Sequence, residues 1–249
     1  MHFSLNENER LDEVNDRLRL IQKTDGLTFG TDALLLAAFI RKKGRLALEL
    51  GGGSGIISLL LATRERFDFI RSVEIQPSYA ALISRNTTLN GLTDRLESSC
   101  ADIRDHNALG EHGSYDAVFS NPPYMTTDSG FPCAGDAKNT ARHEANGTIY
   151  DFAAAAAAML KYGGTFYTVY RTERLADLLS ACRAHRLEPK RMTFVHARAS
   201  LPPSMLLAEF RLGGKSGLEI TRPLILANDG GNTADYDYLL DKGILPDDF

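Results

Sequence analysis

The sequence predicts an α/β protein in which helices flank a mixed sheet, and three observations carry this prediction. Residues 46–50 are an apolar run of strand length, residues 51–55 are a turn with four glycines, and an apolar run of helical length begins at Ile56. Segments of strand and helix length then alternate as far as about residue 185. The length of 249 residues suits one large domain of this kind. Alternation of this kind, with a glycine turn between a strand and a helix, is typical of doubly wound α/β folds.

Composition and charge are those of an ordinary globular domain, with 43% hydrophobic and 24% charged residues. The net charge of −4 provides no overall field for nucleic acid, so such a partner would need a local basic surface. Residues 1–9 lack the features of a signal peptide and no segment suits a membrane span, so we expect a cytoplasmic protein. Cys100, Cys133 and Cys182 are widely spaced, so neither a disulfide framework nor a metal site is expected.

Residues 1–43 are expected to form an N-terminal segment that packs on a domain over residues 44–249. The apolar residues within 11–21 have spacings that suit either a helix or a strand, and both remain open. Turn signals follow, after which Thr31 or Asp32 is placed to cap a helix. The start of such a helix presents backbone N–H groups to whatever lies before it, although a capped core helix without a ligand fits these residues equally well.

The glycine turn is the first candidate ligand site. Gly51, Gly53 and Gly55 are spaced by two residues and then two, whereas the dinucleotide fingerprint has its third glycine one position later. Glycine permits positive φ and allows a ligand to approach the backbone closely. The turn therefore suits a nucleoside ligand without a pyrophosphate, although turns of this kind also occur with no ligand.

Acidic residues follow the next two predicted strands. The second strand ends at Glu74 and Ile75, about twenty residues beyond the glycine turn, where a doubly wound fold places the carboxylate that binds both ribose hydroxyls. A carboxylate at the end of an apolar strand is costly without a partner, and a sugar diol supplies two donors. Asp102 and Ile103 follow a third strand near residues 96–100, where an Asp is also common as a simple turn residue.

The tetrapeptide Asn121-Pro122-Pro123-Tyr124 follows the predicted fourth strand, residues 116–120. The Asn121 side-chain oxygen and the Pro122 carbonyl provide two hydrogen-bond acceptors at this position, and the prolines make the backbone rigid. Tyr124 provides a ring on which a base can stack. The alternative is a proline turn that only closes a strand.

Residues 125–147 form a polar loop that is longer than connections usually are without a purpose. Because the loop follows the tetrapeptide directly, we expect it to form a wall of the substrate site, with Arg142 as a contact. Thr148 and Asp151 then form a capping box at the start of an alanine-rich helix, which is expected to end at Gly163-Gly164.

The last part of the chain carries the local basic surface that the overall charge lacks. Strands are expected near residues 193–196 and 206–212, followed by an edge strand over residues 220–227 and a loose acidic tail. Five basic residues could contact an RNA backbone, although such clusters are as often ordinary solvated surface. They are Arg183, Arg186, Lys190, Arg191 and Arg198.

The glycine turn and the tetrapeptide resemble motifs I and IV of class I S-adenosylmethionine (SAM)-dependent methyltransferases that modify planar nitrogens. This resemblance implies a Rossmann-like fold with a seven-stranded mixed sheet that ends in an antiparallel pair. It also implies SAM as the cofactor, no metal, and a direct displacement in which Asn121 and Pro122 hold the target amine in line with the methyl group.

The same resemblance implies roles around the cofactor. Glu49 would brace the glycine turn, and Asp102 would accept a hydrogen bond from the adenine amino group. Residues 29–36 resemble motif X, in which Gly30 and Thr31 would contact the methionine end. The expected cofactor contacts are Gly30, Thr31, Glu49, Gly51, Gly53, Gly55, Glu74, Ile75, Asp102, Ile103 and Asn121, the expected substrate contacts are Pro123, Tyr124 and Arg142, and the expected catalytic residues are Asn121, Pro122 and Tyr124.

Over residues 10–212 the chain resembles bacterial tRNA (adenine-N6)-methyltransferases that act on the adenine beside the anticodon of a valine tRNA, which implies a tRNA substrate. The marks of this resemblance are residues 20–22, 29–36, 49–55 and 121–124 and the capped helix from Thr148.

Three alternatives remain open. Enzymes that methylate the glutamine amide of release factors share the tetrapeptide, but they resemble the chain less because only some forty residues precede Glu49, too few for their helical substrate-binding domain. Guanine-N2 methyltransferases of ribosomal RNA differ in motif IV mainly at the final aromatic residue. A protein that binds SAM or RNA without catalysis could share the same fold.

Overall fold

The computed structural model describes residues 4–25, 29–123 and 147–249. The strands are β1 (Glu9–Asn15), β2 (Leu18–Lys23), β3 (Gly44–Leu50), β4 (Phe67–Glu74), β5 (Leu96–Cys100), β6 (Tyr115–Ser120), β7 (Leu160–Arg171), β8 (Leu187–Arg198), β9 (Met205–Leu212), β10 (Glu219–Ile220), β11 (Leu224–Asn228) and β12 (Gly231–Asn232). The α-helices are α1 (Thr31–Phe39), α2 (Ile56–Thr63), α3 (Pro77–Leu89), α4 (Ile149–Met159), α5 (Leu175–Ala184) and α6 (Ala234–Lys242).

One ten-stranded sheet organises these elements, in the order β12-β11-β8-β9-β7-β6-β3-β4-β5, with β10 beside β8. Strands β3 to β7 are parallel to one another. Strand β9 is antiparallel to both β7 and β8, so β8 runs in the same direction as β3 to β7. In this order, the seven neighbouring strands β8, β9, β7, β6, β3, β4 and β5 form the mixed sheet that the sequence predicts. Strands β10, β11 and β12 extend it beyond β8. Strand β11 overlaps the segment expected as an edge strand, but the two-residue β12 pairs with it and lies outside it.

Helices cover both faces of the sheet because its central strands are apolar on both sides. In β3, Ala47 packs with α1 and α2 on one face, and the next residue, Leu48, packs with α4 and α5 on the other. Both residues are fully buried. Among the described residues, no helix has the length and apolarity needed to cross a membrane.

The segment whose structure the sequence left open is a pair of antiparallel strands, β1 and β2. Leu18 and Leu20 are buried and Arg19 is exposed, which is the alternation of a strand. The buried Asn86 of α3 accepts a hydrogen bond from the Ile21 N–H at 2.7 Å and donates to the Ile21 carbonyl at 3.1 Å. A second bond from Asn86 reaches the Ser54 carbonyl at 3.0 Å, so this amide joins the strand pair to the glycine turn.

The prediction that Thr31 or Asp32 caps α1 was wrong. The cap is Gly30, which is extended with φ −108° and ψ −179°, and no side chain caps it. A Cβ on Gly30 would lie 2.7 Å from Asp32 Oδ1, so glycine fits where a larger residue conflicts. Thr31 is instead the first helical residue, and Asp32 Oδ1 accepts from the Ala33 N–H at 2.9 Å.

The capping box of α4 is confirmed, since the Thr148 hydroxyl accepts from the Asp151 N–H and the Asp151 carboxylate accepts from the Thr148 N–H. The helix ends at Met159, before the glycine pair that was expected to end it. Strand β7 already begins at Leu160, which pairs with Tyr115 of β6.

The expectation of a loose acidic tail was wrong, because the last residue is part of the core. The Phe249 side chain is 2% exposed, and the guanidinium of Arg222 lies 3.8 Å from its ring centroid. Arg191 donates to the Phe249 carbonyl at 2.7 Å, and Arg41 donates to the Asp247 carbonyl at 2.8 Å. The buried aromatic ring and these bonds to arginines hold the acidic residues in place.

Candidate active site

The parallel strands bring four features of the sequence to one edge of the sheet. Strands β5, β4, β3 and β6 are parallel neighbours, so their carboxyl ends lie at the same edge. The residues at those ends are Asp102, Glu74, the glycine turn over residues 51–55, and Asn121. The order of the strands reverses between β3 and β6, and ligands of open α/β sheets bind in the crevice at such a point.

The glycine turn has the conformation that its glycines were expected to allow. Gly51, Gly53 and Gly55 have φ of +74°, +56° and +82°. The Gly51 N–H donates to the Val73 carbonyl of β4 at 2.8 Å, which fixes the start of the turn. A Cβ on Gly53 would meet no atom within 4 Å, so the turn borders open space. The open space beside Gly53, just before the start of α2, leaves room for the expected nucleoside ligand.

Gly52, between these glycines, is required for packing. A Cβ at this position would conflict with the Ser72 hydroxyl and with the Ile83 side chain of α3. The glycine therefore allows the turn to approach β4 and α3. This requirement for glycine could not be predicted from the sequence, because Ser72 and Ile83 are distant from Gly52 along the chain.

Glu74 lies against the glycine turn. The residue is buried, with 6% of its surface exposed. Its Oε2 accepts from the Gly53 N–H at 3.0 Å, and its Oε1 accepts from the Gln76 N–H at 2.9 Å. Each carboxylate oxygen has a further lone pair, so two backbone donors leave capacity for a sugar diol. The two backbone bonds fix the direction of the carboxylate beside the turn.

Glu49 is buried, and its carboxylate binds two elements that lie beside the glycine turn. Its Oε2 accepts from the hydroxyls of Ser58 in α2 and Ser72 in β4, the latter at 2.7 Å. These bonds hold the elements on either side of the glycine turn. Its Oε1 has no hydrogen-bond partner among the described residues. Burial raises the pKa of Glu49 to about 7, and the two serine hydroxyls oppose this shift only partly.

Asn121 follows β6 directly and is joined to two other parts of the site. The hydroxyl of Ser120, which is fully buried, donates to the Leu50 carbonyl at the end of β3 at 2.7 Å. Asn121 Nδ2 donates to Asp32 Oδ2 in the first turn of α1 at 2.9 Å. The tetrapeptide thus lies beside the glycine turn and the segment that resembles motif X. Neither bond follows from a local sequence pattern.

The structure describes the first three residues of the tetrapeptide. Pro122 is buried, and Asn121 and Pro123 are partly exposed. Tyr124 and Arg142 lie outside the residues that the structure describes.

Asp102 is held by an arginine that the sequence analysis did not consider. Its Oδ1 accepts from both the backbone N–H and the Nε of Arg104 at 2.9 Å, and the hydrogen bond from the arginine side chain lowers the pKa of Asp102. Ile103 is 5% exposed and packs in the same cluster as Ile149 and Phe152. The pair Asp102 and Ile103 therefore presents one charged and one apolar side chain at the end of β5.

Three further predicted cofactor contacts lie at element boundaries of the same edge. Gly30 is exposed and Thr31 partly exposed at the start of α1, next to Asp32, which binds Asn121. Ile75 follows Glu74 and is half-buried.

The basic residues do not form one surface, contrary to the expectation. Arg183 and Arg186 lie before the amino end of β8, at the opposite edge of the sheet from Asn121. Arg198 lies at the carboxyl end of β8, at the edge that carries Asn121, and pairs with Asp229 at 3.2 Å. A twelve-residue strand separates these ends by roughly 35 Å.

The other two basic residues are committed to contacts within the chain. The Arg191 side chain is 13% exposed and pairs with Glu209 at 3.0 Å, and its guanidinium lies 3.9 Å from the Phe39 ring centroid. Lys190 donates to the carbonyls of Lys215 and Gly217 at 3.0 and 2.8 Å. Arg191 is therefore an internal residue and not part of an exposed basic surface.

The described residues contain no group of three or more His, Cys, Asp or Glu side chains that could hold a metal ion. Cys100 is exposed and Cys182 is buried, and both are free thiols. Cys133 lies outside the described residues.

Comparison with known proteins places these observations in context. The model of the methyltransferase small domain matches residues 23–182. A tRNA1(Val) (adenine(37)-N6)-methyltransferase of Bacteroides fragilis is 31% identical over 183 residues, which are 73% of this chain and 76% of the relative. A protein of the same description from Porphyromonas gingivalis is 29% identical over 190 residues, which are 73% of each chain.

Solved structures show the same fold. A predicted O-methyltransferase from Agrobacterium tumefaciens has a TM-score of 0.71 at 22% identity, with coverage of 87% of this chain and 98% of that chain. M. jannaschii TYW2 in complex with AdoMet has a TM-score of 0.56 at 13% identity, with coverage of 84% and 89%. At these identities, the likeness establishes the class of fold alone.

Proposed function

Because the chain belongs to the methyltransferase small-domain family, we propose that it transfers the methyl group of SAM to the N6 atom of an adenine in tRNA. It is a SAM-dependent methyltransferase with the class I fold. The observation that carries the proposal is the bond from Ser120 to the Leu50 carbonyl, which fixes Asn121 beside the glycine turn. A cofactor cradle and a group that can orient an amine thus share one crevice.

The cofactor supplies an activated methyl group when it is bound. We assign its ribose to Glu74, whose carboxylate is directed along the turn by the Gly53 and Gln76 N–H groups. We assign its adenine to Asp102 and Ile103, which offer an acceptor and an apolar side chain at the end of the neighbouring strand. The cofactor would lie across residues 51–55, with Gly30 and Thr31 nearest its methionine end.

The target amine is assigned to the start of the tetrapeptide. The Asn121 side-chain oxygen and the Pro122 carbonyl would accept its two hydrogens and direct the nitrogen lone pair toward the methyl group. Acceptors in these positions stabilise the positive charge that develops on nitrogen in the transition state. Pro123 and Tyr124 would contact the base, and Arg142 would contact another part of the substrate.

The substrate class is supported by the relatives and by the chemistry of the tetrapeptide. Relatives of 31% and 29% identity over about three quarters of the chain are described as tRNA1(Val) (adenine(37)-N6)-methyltransferases. We propose the same class of substrate here, with an adenine in the anticodon loop as the target. A tRNA substrate would place the protein in the cytoplasm.

The surface for the RNA backbone is proposed to include Arg198. This residue lies at the edge of the sheet that carries Asn121, three strands away, or about 14 Å across the sheet. Arg183, Arg186 and Lys190 lie toward the other end of β8 and could meet only a more distant part of a long RNA.

The experiment that tests the proposal separates the candidate substrates. Purified protein is incubated with methyl-labelled SAM and, separately, with total tRNA, ribosomal RNA and a release factor, and the digested products are identified by chromatography and mass spectrometry. We expect N6-methyladenosine from tRNA only. Methylated glutamine or guanine would replace the proposed substrate, and binding of SAM without any labelled product would support the non-catalytic alternative.

A further inference from the structure

A hydrogen bond joins α1 to the tetrapeptide, although 89 residues separate its partners. Asn121 Nδ2 donates to Asp32 Oδ2 at 2.9 Å. We propose that Asp32 is a positioning residue, which sets the orientation of the Asn121 amide so that its oxygen faces the target amine. This inference rests on the proposed function of the site, and it adds a residue to which the sequence analysis gave only a possible capping role.

The carboxylate of Asp32 selects one end of the amide. A carboxylate has acceptors only, so it binds the NH₂ end of Asn121 and directs the Oδ1 end away from itself. The two ends of an Asn amide are nearly equal in shape, and their orientation is decided by hydrogen-bond partners. In the reverse orientation, Asn121 would present donors to an amino group that itself donates, and it could not accept the amino hydrogens.

Asp32 is itself held in a defined position. Its second oxygen, Oδ1, accepts from the Ala33 N–H at 2.9 Å. The helix that carries it is anchored by Leu35 and Leu36, which are fully buried in the core. An acidic side chain in the first turn is also favoured by the helix dipole. The orientation of Asn121 thus derives from a rigid element of the fold and not from a loop.

The pair also affects the charge at the reacting atom. A carboxylate that accepts from one end of an amide polarises it and increases the negative charge on its oxygen. Positive charge develops on the target nitrogen during methyl transfer, so a more negative Oδ1 stabilises the transition state more than the ground state. We therefore expect Asp32 to affect kcat and not the affinity for SAM.

An exchange of the two residue types tests the inference. Asp32→Ala removes the acceptor, and Asn121→Asp places two carboxylates face to face, so we expect each to lower kcat about tenfold to a hundredfold. In the double variant Asp32→Asn/Asn121→Asp, the new amide at position 32 donates to the new carboxylate at position 121, whose second oxygen can still accept from the substrate. We expect this variant to be more active than either single variant when all three are compared at saturating SAM.

A second readout does not depend on catalysis. The side-chain NH₂ resonances of Asn121 are assigned by their loss in Asn121→Asp, and we expect Asp32→Ala to shift them upfield because the bond to a carboxylate is lost. The matched control is Asp235→Ala, which removes an acidic residue from the first turn of α6 and its bonds to Arg222. This control should lower stability only, with kcat and the Asn121 resonances unchanged.

The inference is overturned if Asp32→Ala retains the wild-type kcat, if the double variant is no more active than the better single variant, or if the Asn121 resonances do not move. All variants are compared on whichever substrate the wild-type protein methylates. A failure of the tRNA assignment, which the wild-type product reveals, is therefore distinguishable from a failure of the role proposed for Asp32.

Discussion

The hydroxyl of Ser120 donates to the carbonyl of Leu50 at 2.7 Å, and this bond joins the last residue of β6 to the last residue of β3. Gly51 follows one partner and Asn121 follows the other. The two strands are already neighbours in the sheet, but their ladder pairs only residues 47–49 with 117–119. The serine therefore extends the connection by one residue, to the point where the proposed cofactor cradle and the proposed amine-binding motif begin.

Substitution of Ser120 by alanine should affect both stability and catalysis. The Leu50 carbonyl would lose the hydroxyl in a buried position, so we expect the free energy of unfolding to fall by about 1–3 kcal/mol. We also expect kcat to fall more than the affinity for SAM, because Asn121 would be less precisely placed relative to the methyl group. Urea denaturation and steady-state kinetics measure the two effects, and an unchanged kcat would show that the bond has no role in alignment.

Two adjacent glycines should respond differently to alanine. At Gly52 the new Cβ conflicts with Ser72 and Ile83, so we expect Gly52→Ala to lower stability by about 1–3 kcal/mol or more. At Gly53 the new Cβ meets no protein atom, and the positive φ costs only about 1 kcal/mol. Gly53→Ala should instead weaken SAM binding at least about tenfold, because its Cβ would enter the proposed cofactor space. Calorimetric titration and thermal unfolding distinguish the two, and unchanged SAM binding in Gly53→Ala would place the cofactor elsewhere.

Glu49 should make stability depend on pH. Burial raises the pKa of Glu49 from 4.5 to about 7, so the folded state binds its proton more tightly than the unfolded state does. Between these pH values, the contribution of Glu49 to the free energy of unfolding should fall as pH rises, by on the order of 3 kcal/mol in total.

The variant Glu49→Gln isolates this contribution because its side chain is neutral at every pH. Unfolding of both proteins without cofactor is measured from pH 4.5 to 8. The free energy of unfolding of the variant should rise relative to that of the wild-type protein as pH rises, and the difference should become constant above about pH 7. A difference that stays constant across this range would mean that Glu49 is ionised throughout.

The C-terminal residue should contribute to folding. Phe249 is buried against the Arg222 guanidinium, so we expect Phe249→Ala to lower the free energy of unfolding by about 3–5 kcal/mol. The control is Asp248→Ala, which removes two exposed hydrogen bonds to Arg222 and should lower stability much less, because exposed ion pairs contribute little. Equal effects of the two substitutions would show that Phe249 is not part of the core.

Local sequence patterns were sufficient to predict seven strands of the sheet and the edge at which the candidate site residues meet. Apolar runs of strand length mark each central strand because both faces of the sheet are buried. The glycine spacing indicated positive φ at Gly51, Gly53 and Gly55, since few other residues adopt it. The capping box at Thr148 was equally clear, because both of its partners lie within four residues.

Contacts between residues distant in sequence could not be predicted in this way. Asn86 binds Ile21, and Asn121 binds Asp32, through hydrogen bonds that leave no local pattern. The basic stretch was misjudged because it spans a strand of twelve residues, whose ends lie at opposite edges of the sheet. Arg191 also has an internal role, since it binds the carbonyl of Phe249, a residue expected in a loose tail.

The variant Asn121→Ala tests the central claim most directly, namely that this residue orients the amine for methyl transfer. Single-turnover methyl transfer to the preferred substrate is measured with enzyme saturated in SAM, and SAM binding is measured separately by calorimetry. The account predicts that transfer falls by about a hundredfold or more while the Kd for SAM changes by no more than about twofold. Near-wild-type transfer with unchanged SAM binding would contradict the account.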